Sequence, residues 1–194
     1  MNFLAHIYLS NDEDFIKIGN FMADGIRGND YQQFPLDIQK GILLHRAIDT
    51  FTDAHEIFRK SKHRLHEKYG HYSGVIIDVF YDHFLAKNWT RYSKTPLEEF
   101  VGSFYDTLQD NFELLTSKVQ RFLPYMTAQN WLVSYRTVPG IQQILSQMDM
   151  RSKHTTNMHH SVKELEEHYG EFEKEFTLFF EELRSFVKQK TAIL

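Results

Sequence analysis

Three stretches concentrate the side chains that could do chemistry. In GILLHRAIDTFTDAHE, residues 41–56, a helical pitch of about 100° per residue puts His45, Asp49, Asp53 and Glu56 inside an arc of roughly 80°. His45 and Asp49 are four apart, a spacing that lets one helix face offer a nitrogen and an oxygen to a single ion. A solvated face is the competing explanation. Against it, the arc carries acids and histidine with no lysine, and only Arg46 at its edge. In GVIIDVFYDHFLA, residues 74–86, Asp78 and Asp82 fall about 40° apart on a helix that is otherwise apolar all round, with His83 beside them. Buried carboxylates need compensation. No lysine or arginine lies between Ser73 and Ala86, so a cation is the expected partner, with a distant arginine or a helix cap as the alternative. In IGNFMADGIRG, residues 18–28, Asn20 and Asp24 again share one helical stripe. His6, inside NFLAHIYL, reads more simply as a core histidine than as a ligand.

Histidine and aspartate without cysteine suit Mn²⁺, Fe²⁺, Mg²⁺ or Zn²⁺, the first two slightly favoured. Such an ion acidifies a bound water and neutralises phosphoryl oxygens as charge develops, so phosphoester hydrolysis is the chemistry these residues suggest.

The elements that must position them read as helices. Apolar periodicity predicts helices over about 12–26, 35–57, 58–69, 73–91, 96–117, 127–136, 138–149 and 154–190, the last broken near Gly170. The four prolines fit helix starts or connections, and hairpin turn signals are missing. Phe172, Phe176, Phe179, Leu183 and Phe186 form an apolar stripe that packs the tail on the core. His154, His159, His160 and His168 read as surface residues. The expectation is one all-α domain over residues 1–194. A net charge of −4 argues against a nucleic-acid coat. There is no cysteine for disulfides, no basic leader, and no apolar run long enough for a membrane span, so a cytoplasmic protein is expected.

MNFLAHIYLS, IGNFMADGIRG, GILLHRAIDTFTDAH, SGVIIDVFYDHFLAKNW and MTAQNWLVSYRTVPGI occur in the order expected of bacterial acyl carrier protein phosphodiesterases, which the chain resembles from residue 1 to about 150. The resemblance implies an HD-domain-like helical hydrolase, dependent on Mn²⁺ with Mg²⁺ or Fe²⁺ as alternatives. It would remove 4′-phosphopantetheine from holo-acyl carrier protein, a strongly acidic partner, in fatty acid metabolism. Carried over by position, the metal candidates are Asp24, His45, Asp49, Asp82 and His83, then His6 and Asp78. Asp24, His45 and His55 are candidates for the chemistry itself, His45 or His55 as general acid. Asp82-His83 reverses the usual His-Asp order of HD proteins. Arg27 and Arg46 are candidate phosphate contacts. Arg59, Lys60, Lys62, Arg64 and Lys68 form a basic stretch suited to the carrier protein, or simply a solvated face. An HD-like nucleotide phosphohydrolase and a non-catalytic helical binding module are the alternatives.

Overall fold

The computed structural model describes residues 1–151 and 156–193, so His154 lies outside the described residues. In chain order the helices are α1 (Phe3–Tyr8), α2 (Asp14–Met22), α3 (Leu36–Ala54), α4 (Glu56–Tyr69), α5 (Ser73–Lys87), α6 (Leu97–Asp110), α7 (Ser117–Ala128), α8 (Trp131–Ser134), α9 (Val138–Arg151), α10 (Val162–Glu167) and α11 (Tyr169–Thr191). Short 3-10 turns join several of them, and one, Ala23–Gly25, continues directly from α2. Among the described residues there is no strand, and no helix is long and apolar enough to cross a membrane.

A helix apolar on every side has to be surrounded, and α5 is. Ile76, Ile77, Val79, Phe80, Tyr81, Phe84 and Leu85 are fully buried, with α1, α4, α9 and α11 packed around them. The long α11 lays Phe172, Phe176, Phe179, Phe180, Leu183 and Val187 into this core, as its periodicity predicts. Phe186, assigned to the same stripe, is only partly buried, stacked on Phe51 at the margin.

Two glycines set the contact between α2 and α3. A Cβ on Gly19 would lie 2.2 Å from the Ile38 carbonyl oxygen, and one on Gly41 would lie 2.3 Å from that of Ile16. Only hydrogen fits at either position, so the backbones of α2 and α3 touch. Asn20 follows Gly19 directly, and His45 sits one turn beyond Gly41 on the same side of α3.

Two helices have no counterpart in the sequence expectation, while the helix expected over 96–117 stops at Asp110 and that over 127–136 shrinks to α8. The six-residue α1 is too short to show a period and too short to persist alone. It forms because Asn2 caps it and because Asp82 accepts backbone N–H bonds from its first turn. The second is α7, which occupies a stretch expected to be a connection. Pro124 lies inside it rather than at a helix start or junction, while Pro35 and Pro96 immediately precede α3 and α6 and Pro139 sits in the first turn of α9.

Candidate metal centre

His6 from α1 and His45 and Asp49 from α3 converge. One ligand atom from each lies within 4.8 Å of the others. His45 Nε2 is 3.1 Å from Asp49 Oδ2, and His6 Nε2 is 3.3 Å from Asp49 Oδ1. The two imidazoles stack, centroids 4.0 Å apart. Asp24, on the 3-10 turn after α2, brings Oδ1 to 3.2 Å from His45 Nε2.

The far side of each ring is fixed by Asn20. His45 Nδ1 lies 2.7 Å from the Asn20 backbone carbonyl, which only accepts, so the proton sits on Nδ1 and donates to it. His6 Nδ1 lies 2.7 Å from Asn20 Oδ1. The Asn20 amide nitrogen is already donating to the His6 carbonyl and to Ser10 Oγ, so Oδ1 is the acceptor here too. In its neutral form each ring therefore aims an Nε2 lone pair at the carboxylates, the tautomer a metal ligand needs. His6 Nε2 is buried with no hydrogen-bond partner. An Nε2 atom facing a carboxylate needs a proton or a cation between them, and the donor set fits a divalent ion.

The electrostatics agree. Burial, with His45 close by, drives His6 down to about 4. Burial also opposes charge on His45, but hydrogen bonds to Asp24 and Asp49 outweigh it and raise His45 to about 9. Burial works to raise Asp49, yet the two histidines hold it well below the usual carboxylate range. The pocket favours one shared positive charge.

The other acids and histidines go elsewhere. Asp82 is buried under the N-terminus of α1, accepting from Leu4 N–H at 2.7 Å and more distantly from Asn2 and Ala5. Burial nevertheless pushes Asp82 up to about 7, against the Met1 amino group and these N–H donors. Asp78 lies 2.7 Å from the Met1 amino group. His83 donates from Nδ1 to the Tyr135 carbonyl at 2.7 Å, and its Nε2 meets the Tyr169 hydroxyl at 2.7 Å. The expected convergence of Asp78, Asp82 and His83 on an ion is thus replaced by a helix terminus, an amino group and two hydrogen bonds. Spacing along α5 could not reveal this, because the compensating groups lie some 80 residues away in sequence.

His55 caps α4, its Nδ1 accepting from Ile57 N–H, while Nε2 meets Glu182; it does not line the cavity at the centre. Arg46 donates to the Ile26 carbonyl and covers Tyr31, whereas Arg27 is exposed two residues after Gly25. The basic stretch is largely neutralised. Lys60 and Arg64 pair with Glu175, Lys68 pairs with Glu164, and Arg59 donates to the Asp53 carbonyl. Of the five, Lys62 alone has no hydrogen-bonding or ion-pair partner among the described residues. Sequence reasoning missed Ser10 altogether, and it singled out Asn20 beside Asp24 without reading its part as acceptor for both histidines. Asn20 was visible as a polar residue on an apolar helix, while nothing marked Ser10.

A cavity of about 610 Å³ opens beside the centre, lined by Asp24, His45 and Asp49 and, across from them, by Phe122, Trp131 and Met148. Two imidazoles and a carboxylate aimed at one point from a helical scaffold, facing a cavity, define the class: a metal-dependent hydrolase. A family model described as acyl carrier protein phosphodiesterase matches residues 1–183, and the chain belongs to that family. It is 31% identical to the acyl carrier protein phosphodiesterase of Photorhabdus laumondii, over 93% of this chain and 91% of that protein. Against the enzyme of the same name from Pectobacterium atrosepticum it is 30% identical over 97% and 98%, and against that from Salmonella agona 33% over 93% and 94%. No solved structure matches.

Proposed function

We propose that this protein hydrolyses the phosphodiester of holo-acyl carrier protein, releasing 4′-phosphopantetheine and leaving the apo protein. The observation that carries this reading is the pair of enforced Nε2 lone pairs on His6 and His45, facing Asp49 beside a cavity, in a chain of the phosphodiesterase family. His6, His45 and Asp49 would hold the ion, with Mn²⁺ our choice over Mg²⁺ or Fe²⁺ because imidazole and carboxylate together suit it. Bound there, a divalent ion supplies an acidified water and charge neutralisation at the phosphoryl oxygens.

The remaining steps belong to the chain. Asp24 is the carboxylate at the centre outside the ligand set. It is more than half exposed and lines the cavity beside the proposed ligands, so it is placed to take a proton from the attacking water. Arg151, on the cavity wall, is placed to meet a nonbridging oxygen. The apolar wall excludes water around the pantetheine arm. We assign the arrangement to an HD-domain-like helical class, supported by ligands drawn from two helices, and the protein to the cytoplasm, with no nucleic-acid or membrane partner.

Incubating Mn²⁺-loaded protein with holo-acyl carrier protein and with a nucleotide panel tests the reading by mass spectrometry. Conversion of holo to apo protein, stopped by chelator, is expected. Hydrolysis of nucleotides alone would contradict it.

A further inference from the structure

The overall charge of −4 leaves open how this protein would engage an acidic partner, and the basic stretch on α4 is mostly consumed by Glu164 and Glu175. A different surface has the required character. From Leu114 to Met148 the chain contains no aspartate or glutamate, although it has 26 acids among 194 residues. This acid-free segment builds α7, α8 and most of α9, the side of the cavity facing the metal centre. The acid that follows it, Asp149, is held by the Met158 and His159 N–H groups and the His159 ring, so the segment itself presents no carboxylate to an acidic surface.

Cations stand along its edge. Lys118 and Arg151 line the cavity. A Cβ on Gly25 would lie 3.9 Å from Lys118 Cδ and 3.8 Å from Thr116 Oγ1, so the first turn of α7 lies against the turn that carries Asp24. Arg121 is one helical turn beyond Lys118, and Tyr125, 64% exposed, one turn beyond that. Lys118, Arg121 and Tyr125 therefore form one outward stripe that begins at the mouth of the centre. Neither Lys118 nor Arg121 has a carboxylate within 4 Å among the described residues, whereas Arg136 is tied to Glu98. Arg151 lies over Trp131, its Cζ 4.7 Å from the ring centre, and Met150 beside it is 78% exposed. Unpaired cations interleaved with exposed apolar side chains have the composition of a protein-docking surface.

We propose that this wall, through Lys118, Arg121 and Arg151 with Tyr125 and Met150, is where an acidic protein docks. The occupant is the carrier protein of the reading above, on which this proposal rests. Docked there, a serine-linked arm enters the cavity along Phe122, Trp131 and Met148, and its phosphodiester reaches the turn bearing Asp24.

The experiment compares the full-length, Mn²⁺-loaded protein with Lys118→Glu/Arg121→Glu and with Arg59→Glu/Lys62→Glu, using holo-acyl carrier protein in steady-state kinetics and apo-acyl carrier protein in calorimetric binding. Lys118→Glu/Arg121→Glu is expected to raise KM and the apo-protein Kd about tenfold or more and to flatten their salt dependence, with kcat and Mn²⁺ affinity within about twofold. Arg59→Glu/Lys62→Glu should move each value less than about twofold. Unchanged KM and Kd in the first variant, the increase appearing in the second instead, or no binding of carrier protein by the wild type would overturn the proposal. Wild type that binds carrier protein through Lys118 and Arg121 but turns none over would support the docking surface and strike the activity reading.

Discussion

Asn20 decides what the two histidines can do. Its carbonyl and its side-chain oxygen each receive an Nδ1–H, which leaves both Nε2 atoms as bases. Asn20→Leu removes the acceptor for His6 while leaving the backbone acceptor for His45. Mn²⁺ affinity measured by calorimetry should fall about 10- to 100-fold with the helical spectrum intact, and Asn20→Asp, which keeps an acceptor for His6, should lose less. Protonation opposes the metal at the same atoms. His45, raised to about 9 by its carboxylate neighbours against the effect of burial, holds a proton at neutral pH when no ion is bound. Metal uptake must release it, so apparent affinity should climb with pH from 7 toward 9, by up to about tenfold per unit. Calorimetry in buffers of different ionisation enthalpy should find about one proton released; affinity flat across that range would mean His45 is not a ligand.

At the level of elements, the centre depends on two joints. One is the glycine contact between α2 and α3, which brings the Asn20 carbonyl to His45. Gly19→Ala forces a Cβ to 2.2 Å from the Ile38 carbonyl, so the helices must part. The expected result is a lower melting temperature together with weaker Mn²⁺ binding, though residue 19 touches no ligand. The other is the seat of α1. Asp82 accepts N–H bonds from its first turn, and His6 rides on the next. Asp82→Asn should cost at least about 2 kcal/mol in a denaturant titration and loosen Mn²⁺ through His6. Here the sequence was only partly legible. The His45–Asp49 spacing on α3 was readable because both side chains sit on one helix. The role of Asp82 was not, because helix N–H groups neutralise an acid as well as an ion does and carry no residue type. His6 was discounted for the same reason, since its partners come from another helix. α7 was hidden by Pro124, which reads as a boundary wherever tertiary packing does not hold the helix through it.

For the whole molecule, α11 closes the bundle through one buried charge. Glu175 receives a bidentate pair of bonds from Arg64 at 2.8 Å each and another from Ser61. Burial would raise it, but these bonds hold it at about 2, against an ordinary value of 4.5. The unfolded chain therefore binds the extra proton between those values. The stability that Glu175 contributes is present above about 4.5 and lost as pH falls toward 2. Glu175→Gln should flatten the pH dependence of the melting temperature in that window, while Arg64→Met, leaving the buried acid only Ser61 and the exposed Lys60, should cost on the order of 3 kcal/mol at neutral pH. The helical class and the central position of α5 were legible from periodicity alone, because an all-apolar helix has one place to go. The closing ion pair was not, since Arg64 looked like part of a free basic face. The most direct test of the account is pulsed EPR on the Mn²⁺-loaded protein with ¹⁵N-labelled histidine. It should show two directly bound histidine nitrogens, reduced to one by His6→Ala and unchanged by His83→Ala. A nitrogen coupling that survives His6→Ala and disappears in His83→Ala would place the ion on α5 and contradict it.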